Sequence, residues 1–305
     1  MARILLALSL AALIGCQASV APSPPTTTAT TTAAAPAATA AAGSFKLLTY
    51  NVAGLPDTIA RRKSSTRMPL IAPLLDAYDL VLVQEDFAYP ELLRGGTAHL
   101  FRTEPVSGRG FGDGLSRFSR FAIRDHERTA WASCHGLASH GSDCLASKGF
   151  DVATHELAPG VKVDVYNLHL DAGRSIDDHR ARASQIDQLA TAIATRSNDR
   201  AVIVAGDTNL WGEDNDLMAA LRRIAGLVDA CSALSCSDGW RIDRVLYRAG
   251  GGVTLTPRSW SIRSEFVDGN GRPLSDHRAI AVEFDWTTST ITSAARSSSG
   301  SPSPR

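Results

Sequence analysis

The feature that most constrains the fold is a series of short apolar runs that alternate with segments of helical periodicity. Seven runs are predicted as strands, over residues 45–51, 79–85, 150–157, 161–170, 201–207, 242–247 and 278–286. Helices are predicted between some of them, over residues 68–77, 177–195 and 214–224. Strands that interleave with helices indicate an α/β or α+β fold rather than an all-β one.

The two ends of the chain differ in composition from this central region. Residues 1–16 are predicted to be a secretory signal, since their apolar run is shorter than the about 20 residues that span a bilayer. The run ends in Leu-Ile-Gly-Cys, which resembles the lipobox of bacterial lipoproteins and implies a lipid anchor on Cys16. The alternative is an ordinary signal with an incidental cysteine. Two segments rich in Ala, Thr, Pro and Ser are predicted to be disordered, residues 17–43 and 287–305. One domain is therefore expected over residues 44–286.

The cysteines indicate disulfides. With Cys16 assigned to the lipobox, an even number remains in an exported chain, which predicts two disulfides. We expect pairing between neighbours in the sequence, Cys134 with Cys144 and Cys231 with Cys236, although three connectivities exist. A zinc site is the alternative, but the spacings lack the paired C-x-x-C knuckles of structural zinc sites.

Four of the apolar runs end in polar residues with useful chemistry: Asn51, Glu85, His169, and Asp207 with Asn209. Residues on loops that follow the strands of a sheet commonly form functional sites. Each residue alone also has a structural explanation, as a turn residue, a salt bridge, a satisfied core histidine or an Asx turn. Their shared position at strand ends is what indicates a site.

These residue types suit a divalent cation and an attacking water. Glu85 follows a run too apolar for a solvated edge, so its carboxylate needs a partner such as a metal ion. Asn51 would supply a neutral carbonyl oxygen beside it, and magnesium prefers few protein oxygens. Asp207 and Asn209 are two residues apart, which in extended backbone directs both side chains to one face. One could accept a proton from water while the other holds the water.

A further pair, Asp276 and His277, precedes the last predicted strand. A histidine beside an aspartate suits general acid–base chemistry near neutral pH. Asp243 is a candidate to orient the imidazole. The alternative for Asp243 is an ion pair with a neighbour, Arg241 or Arg244.

Taken in order, six phrases resemble the endonuclease/exonuclease/phosphatase superfamily: LLTYNVAGL, DLVLVQE, YNLHL, VIVAGDTNLW, GWRIDRVLY and LSDHRAIAVEF. The resemblance covers residues 45–286. It implies a four-layered sandwich of two packed mixed β-sheets flanked by helices, with the site where the strand ends of the two sheets meet. It also implies metal-dependent hydrolysis of a phosphoester by in-line attack of water.

For the metal, the resemblance implies that Glu85 is the principal ligand of Mg²⁺, or of another divalent cation such as Mn²⁺. Asn51 lies beside it in the family pattern, and Asp276 looks like an auxiliary metal or substrate contact. One departure is Thr208, which stands where the family has a hydrophobic residue between Asp207 and Asn209. Its side chain is expected to point away from the site.

For proton transfer, Asp207 looks like the acid that positions or deprotonates the attacking water, supported by Asn209. His277 looks like the partner general base, oriented by Asp243. His169 looks like a donor to the phosphoryl oxygens. The family pattern leaves open which of Asp207 and His277 takes the proton.

The substrate class rests on a narrower resemblance. The segments GDGLSRFSRFAI and CHGLASHGSDCLASKGF, and HLDAG before a helix with Arg182 and Gln185, are similar to those of bacterial sphingomyelinases. This implies a choline-phosphodiester lipid or another phospholipid. Secreted sphingomyelinases present a hairpin of exposed aromatics to the bilayer, whereas only Trp260 and Phe266 lie in the corresponding region here.

Other functions remain open at this point. A nuclease would need a basic groove or stacking platforms, but 31 basic residues balance 31 acidic ones and the close basic clusters are short. A phosphomonoesterase acting on a sugar or inositol phosphate is a third reading. A surface-anchored binding lipoprotein is the non-enzymatic one. We expect an exported monomer at the cell surface or outer membrane, held by the anchor on Cys16.

Overall fold

Two six-stranded sheets form the centre of the fold in the computed structural model, which describes residues 41–106, 111–136, 143–237 and 241–289. The strands are β1 (Ala42–Asn51), β2 (Leu80–Gln84), β3 (Phe101–Arg102), β4 (Ser116–Ser119), β5 (Ala122–Ala130), β6 (Gly149–Ala158), β7 (Val161–His169), β8 (Ala201–Asp207), β9 (Val228–Asp229), β10 (Asp243–Arg248), β11 (Val253–Ile262) and β12 (Ile280–Thr288). The helices are α1 (Ser64–Leu75), α2 (Pro90–Gly96), α3 (Ile176–Arg196), α4 (Asn215–Ala225) and α5 (Ala230–Ala233).

Each sheet is mixed and carries one parallel pair near its centre. The first sheet has the order β11-β12-β1-β2-β4-β3, and the second has the order β5-β6-β7-β8-β10-β9. β1 runs parallel to β2, and β7 runs parallel to β8, while the other neighbours are antiparallel. The predicted α/β class is confirmed.

Three apolar layers hold the sheets and helices together. Side chains from β1, β2, β7, β8 and β12 fill the space between the two sheets, and include Leu47, Leu82, Val163, Ile203 and Phe284. The outer face of the first sheet packs on α1, and the outer face of the second packs on α3 and α4. The order of layers is therefore helix, sheet, sheet, helix, as the four-layered sandwich requires.

The parallel pairs determine where the site forms. In β1 and β2 the register places Asn51 beside Gln84, and in β7 and β8 it places His169 beside Asp207. The antiparallel strand β10 begins opposite the same point, with Asp243 paired to Asp207. Since parallel neighbours end at the same edge of a sheet, the functional residues of both sheets meet at one end of the sandwich.

All seven predicted strands are present, but five were missed. β11 contains Pro257, which argues against a central strand, and the structure places it at a sheet edge with a bulge after that proline. β5 is an edge strand with a mostly charged sequence and its own bulge. β3 and β9 have two residues each and β4 has four, too few to show a period. Helix α1 starts at Ser64, earlier than the predicted residue 68.

The folded region extends beyond the boundaries expected from composition. β1 begins at Ala42 and pairs with β12 up to Thr287, and the backbone amide of Ala41 donates to Thr288 Oγ1 over 2.8 Å. Residues 41–43 and 287–289 therefore belong to the domain rather than to the predicted disordered segments. The predicted signal, residues 17–40 and residues 290–305 lie outside the described residues.

The structure pairs Cys134 with Cys144 and Cys231 with Cys236, with Cα atoms 5.4 and 5.1 Å apart. This is the local pairing expected from the sequence, and it leaves none of these four thiols for zinc. In the described ranges, no helix combines the length and the apolar character needed to cross a membrane.

Candidate active site

Asn51 connects the two sheets at the centre of the site. Its side-chain Nδ2 donates to Glu85 Oε1 over 2.9 Å and to Asp207 Oδ2 over 3.0 Å. Its Oδ1 accepts from the backbone amide of Ala53 at 3.0 Å. In this orientation Asn51 holds the two carboxylates beside each other. The role predicted for it, a metal ligand through Oδ1, stays a prediction.

Glu85 leaves β2 in an unusual backbone conformation. Its φ is +56°, in the left-handed region that side chains other than glycine adopt at a cost. The carboxylate keeps 22% of its surface exposed, whereas Asn51 and Asp207 are almost fully buried. Glu85 is therefore the member of this group that faces a solvent-accessible cleft.

Asp207 is fixed by the backbone around it. Gly206 has φ +143°, and a Cβ there would come within 2.1 Å of Leu168 O, so only glycine permits the close approach of β8 to β7. Beyond Asp207 the chain turns, and the backbone amide of Asn209 donates to Asp207 Oδ1 over 3.0 Å. Thr208 points away from the site, as expected, and donates to Ile242 O.

The extended backbone expected from Asp207 to Asn209 was wrong. The strand ends at Asp207, and Asn209 has φ +46° instead of an extended conformation. Its side chain donates to the carbonyl oxygen of Leu170 over 3.1 Å. Asn209 supports Asp207 through its backbone amide, and its side chain ties this turn to the end of β7.

His277 and Asp243 form the second half of the site. His277 Nδ1 lies 3.0 and 3.2 Å from the two carboxylate oxygens of Asp243, and its Nε2 lies 3.6 Å from Asp207 Oδ2. Asp243 therefore orients the imidazole toward Asp207. The alternative partners of Asp243, Arg241 and Arg244, contact Asp229 instead.

Asp276 is the predicted site residue that the structure leaves at the margin. Its side chain is exposed and accepts a hydrogen bond from Ser275 Oγ at 3.4 Å. Among the described residues, neither cluster of candidate metal ligands includes it. Its predicted role as an auxiliary metal or substrate contact stays a prediction.

His169 is buried between the two halves. Its Nε2 lies 3.4 Å from Asp207 Oδ2 and 3.8 Å from Glu85 Oε1. The same nitrogen lies 3.0 Å from Nζ of Lys148. Lys148 was not singled out in the sequence, although it is buried, contacts His169 and pairs with Asp143. A lysine just before an apolar strand is a weak signal, and only the tertiary contacts show its position.

Burial and charge set the protonation of these groups. Burial raises the pKa of Glu85 and of Asp207, although the hydrogen bond from Asn51 to Glu85 and the charge of His277 near Asp207 oppose it. Burial, followed by the charges of Lys148 and His277, lowers the pKa of His169 well below its usual value. Burial also lowers the pKa of His277, but the hydrogen bond to Asp243 and the charge of Asp207 outweigh it and raise that pKa to about 10.

The donor set fits a divalent cation. Glu85, His169 and Asp207 each offer a ligand atom, and these atoms lie within 4.8 Å of one another. A second group, Asp207, Asp243 and His277, meets the same distance. Two carboxylates with raised pKa values stand side by side around Asn51, so a bound cation would offset their repulsion. Oxygen ligands beside an open cleft are what hard divalent ions favour.

This fold and site define a class of protein. The chain matches the Endonuclease/Exonuclease/phosphatase family over residues 48–277. It belongs to that family, and the resemblance seen in the six sequence phrases is confirmed.

Several curated proteins are similar to this chain in sequence. A protein of Mycobacterium tuberculosis (strain ATCC 25618 / H37Rv) named "Sphingomyelinase" is 33% identical over 274 residues, with 80% of this chain and 53% of the relative covered. "Sphingomyelin phosphodiesterase 2" of Homo sapiens is 26% identical over 277 residues, with 77% and 63% covered. The chain spans about half the length of the mycobacterial relatives that it matches.

Solved structures share the fold. Sphingomyelinase C from Streptomyces griseocarneus superposes with a TM-score of 0.60 at 19% identity, covering 79% of this chain and 99% of that one. Beta toxin from Staphylococcus aureus with bound magnesium ions gives 0.61 at 16%, with the same coverage. D. rerio TDP2 in complex with a single-strand DNA product gives 0.64 at 19%, covering 79% and 98%. At these identities the likeness concerns the fold alone.

Proposed function

We propose that this chain is a metal-dependent phosphodiesterase that hydrolyses its substrate by attack of water on phosphorus. The observation that carries this proposal is the meeting of five residues at one end of the two sheets, each within hydrogen-bond or ion-pair distance of at least one other: Asn51, Glu85, His169, Asp207 and His277. Carboxylates, a protonated imidazole and a cation site around one cleft are the groups that phosphoryl transfer requires.

We assign the metal to Glu85, with Asn51 next to it, and we expect Mg²⁺. When bound, the ion supplies a Lewis acid that stabilises charge on the phosphoryl and leaving oxygens. Asn51 keeps the carboxylates of Glu85 and Asp207 at a fixed separation, and the left-handed backbone of Glu85 directs its side chain into the cleft. Asp276 is close enough to His277 in the chain to contact the substrate from the rim.

For proton transfer, we assign the base to Asp207. With its pKa raised to about 10, His277 carries a proton at neutral pH and cannot accept another. Burial raises the pKa of Asp207, which makes its carboxylate a better acceptor for a proton of the attacking water. The His277 imidazolium, held by Asp243, then stabilises the developing negative charge. His169 and Lys148 face the same carboxylates, and the Lys148 ammonium, which can only donate, lies 3.0 Å from His169 Nε2. Lys148 is therefore the donor that we assign to the phosphoryl oxygens, and the donor role expected of His169 would require a proton on Nε2 and the loss of that bond.

For the substrate, we propose a choline-phosphodiester lipid such as sphingomyelin. The 33% identity to proteins named "Sphingomyelinase" supports it. The site lacks an aromatic membrane hairpin within the described residues: Phe266 is buried against Tyr50, with ring centroids 4.8 Å apart, and Trp260 is partly buried in the core. A polar turn around Gly269 and Asn270 lies between Val267 and Pro273. Contact with a lipid would therefore use another surface.

The test is hydrolysis by the full chain of sphingomyelin vesicles, duplex DNA and bis(p-nitrophenyl) phosphate, with Mg²⁺ or with a chelator. Glu85→Ala and His277→Ala should each lower the rate by at least about a hundredfold. Glu91→Ala, at an exposed glutamate, is the matched control and should retain the rate. Cleavage of DNA alone would indicate that the protein is a nuclease that uses the same residues. Absence of hydrolysis of all three by folded, metal-bound protein would remove the proposal.

We also propose that the chain is an exported lipoprotein, modified on Cys16. The support is the sequence alone, since this segment lies outside the described residues. Expression in a bacterium with labelled palmitate should label the wild-type chain and leave Cys16→Ser unlabelled. Equal labelling of both would exclude Cys16 as the lipidated residue, and labelling of neither would leave an ordinary secretion signal. An apparent mass of one chain in gel filtration of the protein after its extraction from the membrane would agree with the expected monomer.

A further inference from the structure

A cavity of about 440 Å³ opens on the Glu85 side of the site. Its volume lies within the range of small-molecule sites, roughly 300–1,000 Å³. Its lining combines four charged side chains, those of Glu85, Asp143, Lys148 and Asp178, with a larger number of apolar ones. The residues that matter are Glu85 and Lys148 at the inner end, and Ile59, Phe87, Phe111 and Leu145 on the walls.

One wall of the cavity is aromatic, and its two rings, Phe87 and Phe111, lie close to Glu85. Phe87 follows Glu85 by two residues, and its ring lies 6.2 Å from that of Phe111, centroid to centroid. Gly114 has φ +67°, and a Cβ there would approach the Phe87 ring within 2.4 Å. The glycine leaves the space that the ring occupies. This wall is thus in a fixed position relative to the catalytic carboxylate.

The mouth of the cavity is formed by two exposed aliphatic side chains from distant parts of the sequence. Ile59 follows β1 and is 59% exposed, and Leu145 follows the disulfide-bonded Cys144 and is 44% exposed. Both lose contact with water if an apolar group enters the cavity, which favours its binding.

A second cavity, on the His277 side of the site, has a different character. A cavity of about 510 Å³ beside His277 is lined by Asp243, Asp276, Arg241 and Arg278 along with apolar side chains. On the Glu85 side, Lys148 is the cation among the described lining residues, and it already pairs with Asp143. A bound nucleic acid strand would place further phosphates in both cavities. In the cavity beside Glu85 these phosphates would face acidic and apolar side chains, which disfavours a nucleic acid there.

We propose that the cavity beside Glu85 binds the hydrocarbon part of an amphiphilic phosphodiester. The phosphate lies at the inner end, within reach of Lys148 and the Glu85 site, and the chain extends past Phe87 and Phe111 to the mouth at Ile59 and Leu145. This inference rests on the proposed function, because the phosphate must be at Glu85 for the chain to enter here. The substrate class is a single-phosphate lipid, and the occupant is its aliphatic chain.

The experiment measures kcat/KM of the full chain with Mg²⁺ on butyl, hexyl and octyl phosphocholine, each below its micelle concentration, by phosphorus NMR. Bis(p-nitrophenyl) phosphate is measured beside them. The wild type should gain up to roughly fourfold in kcat/KM per added methylene, the factor expected for a buried methylene. Leu145→Ser and Ile59→Ser should each reduce this gain per methylene. Leu100→Ser, at a side chain 80% exposed that lines neither cavity, should keep it.

The outcomes separate the two proposals. A wild type that hydrolyses bis(p-nitrophenyl) phosphate but shows no dependence on chain length overturns this inference and leaves the phosphodiesterase intact. The same holds if both serine variants, folded by circular dichroism, keep the full gain per methylene. A wild type that hydrolyses no phosphodiester overturns the proposed function together with this inference.

Discussion

Gln84 Nε2 donates a hydrogen bond to Asn167 Oδ1 over 2.7 Å and so joins the two sheets directly beneath the site. Asn167 Nδ2 donates in return to the carbonyl oxygen of Val83 at 3.1 Å. Both side chains are fully buried. Gln84 is the last residue of β2, directly before Glu85, and Asn167 is two residues before His169 on β7. This amide pair therefore fixes the spacing between the two strand ends that carry the candidate catalytic groups.

Replacing Asn167 by leucine should lower both stability and rate. The change removes the Asn167 partner of Gln84 Nε2, which keeps Thr49 Oγ1 at 3.1 Å, and the side-chain donor to the Val83 carbonyl. The free energy of unfolding should therefore fall by about 1–3 kcal/mol in all. A small displacement of Glu85 from His169 should lower kcat by about a hundredfold with less effect on KM. Urea denaturation and steady-state kinetics measure the two effects. Asn198→Leu, at an exposed asparagine, is the control, and equal activity of the two variants would contradict a positioning role.

Lys148→Met should reduce hydrolysis by at least about a hundredfold, because it removes a buried cation 3.0 Å from His169 Nε2. Lys148→Arg should not restore the rate, since a planar guanidinium does not fit the position of a compact ammonium. Lys162→Met, at an exposed lysine on β7, is the matched control. Full activity of folded Lys148→Met would show that the Lys148 ammonium has no role in the reaction.

The two disulfides allow a paired comparison. The bonded cysteines are 10 and 5 positions apart in the sequence. Removing either disulfide should lower the free energy of unfolding by about 2–3 kcal/mol, because the unfolded chain gains loop entropy. In the Cys134–Cys144 bridge, Cys144 is the chain neighbour of Asp143, which pairs with Lys148. Removal of this bridge by double alanine substitution should therefore also lower kcat, whereas loss of Cys231–Cys236 should leave kcat unchanged. The value of kcat is measured for both variants at a temperature where both are folded. Equal kcat values would show that the Cys134–Cys144 bridge does not affect catalysis.

His277 should make the stability of the metal-free protein depend on pH. Its folded pKa is raised from 6.5 to about 10, so the folded state keeps a proton that the unfolded state releases. The stabilisation is fully present below pH 6.5 and is lost as pH rises toward 10. The difference in unfolding free energy between wild type and His277→Gln should fall with a slope of at most about 1.4 kcal/mol per pH unit. Denaturation in a chelator at several pH values measures it, and a difference that does not change with pH would show that the histidine is not held as a cation.

The site was largely predictable because its geometry follows from strand ends. Asn51, Glu85, His169 and Asp207 each follow an apolar run, and the two parallel pairs bring those ends together. Chain order and the family pattern added Asp243 and His277. The conformation of Asn209 was not predictable, because a left-handed residue after a strand depends on the turn that follows it.

Other features depend on contacts distant in sequence. Lys148 directly precedes β6, and the pairing of β6 with β7 brings its Nζ to 3.0 Å from His169 Nε2, 21 positions along the chain. The amide pair between Gln84 and Asn167 links residues 83 positions apart, and nothing local distinguishes either from an ordinary strand residue. β11 was missed because its proline is tolerated only at a sheet edge, and edge position is a property of the whole sheet.

The direction of β1 determines how the domain would face a membrane. The chain enters β1 at Ala42 and reaches the site at Asn51, and β12 leaves the domain beside that entry. A ten-residue strand spans ~30 Å, so the entry point and the cleft lie at opposite poles. An anchor on Cys16 would hold the enzyme by the pole remote from its cleft. Lipids of a facing membrane or of released vesicles would then approach the domain from the side of the cleft.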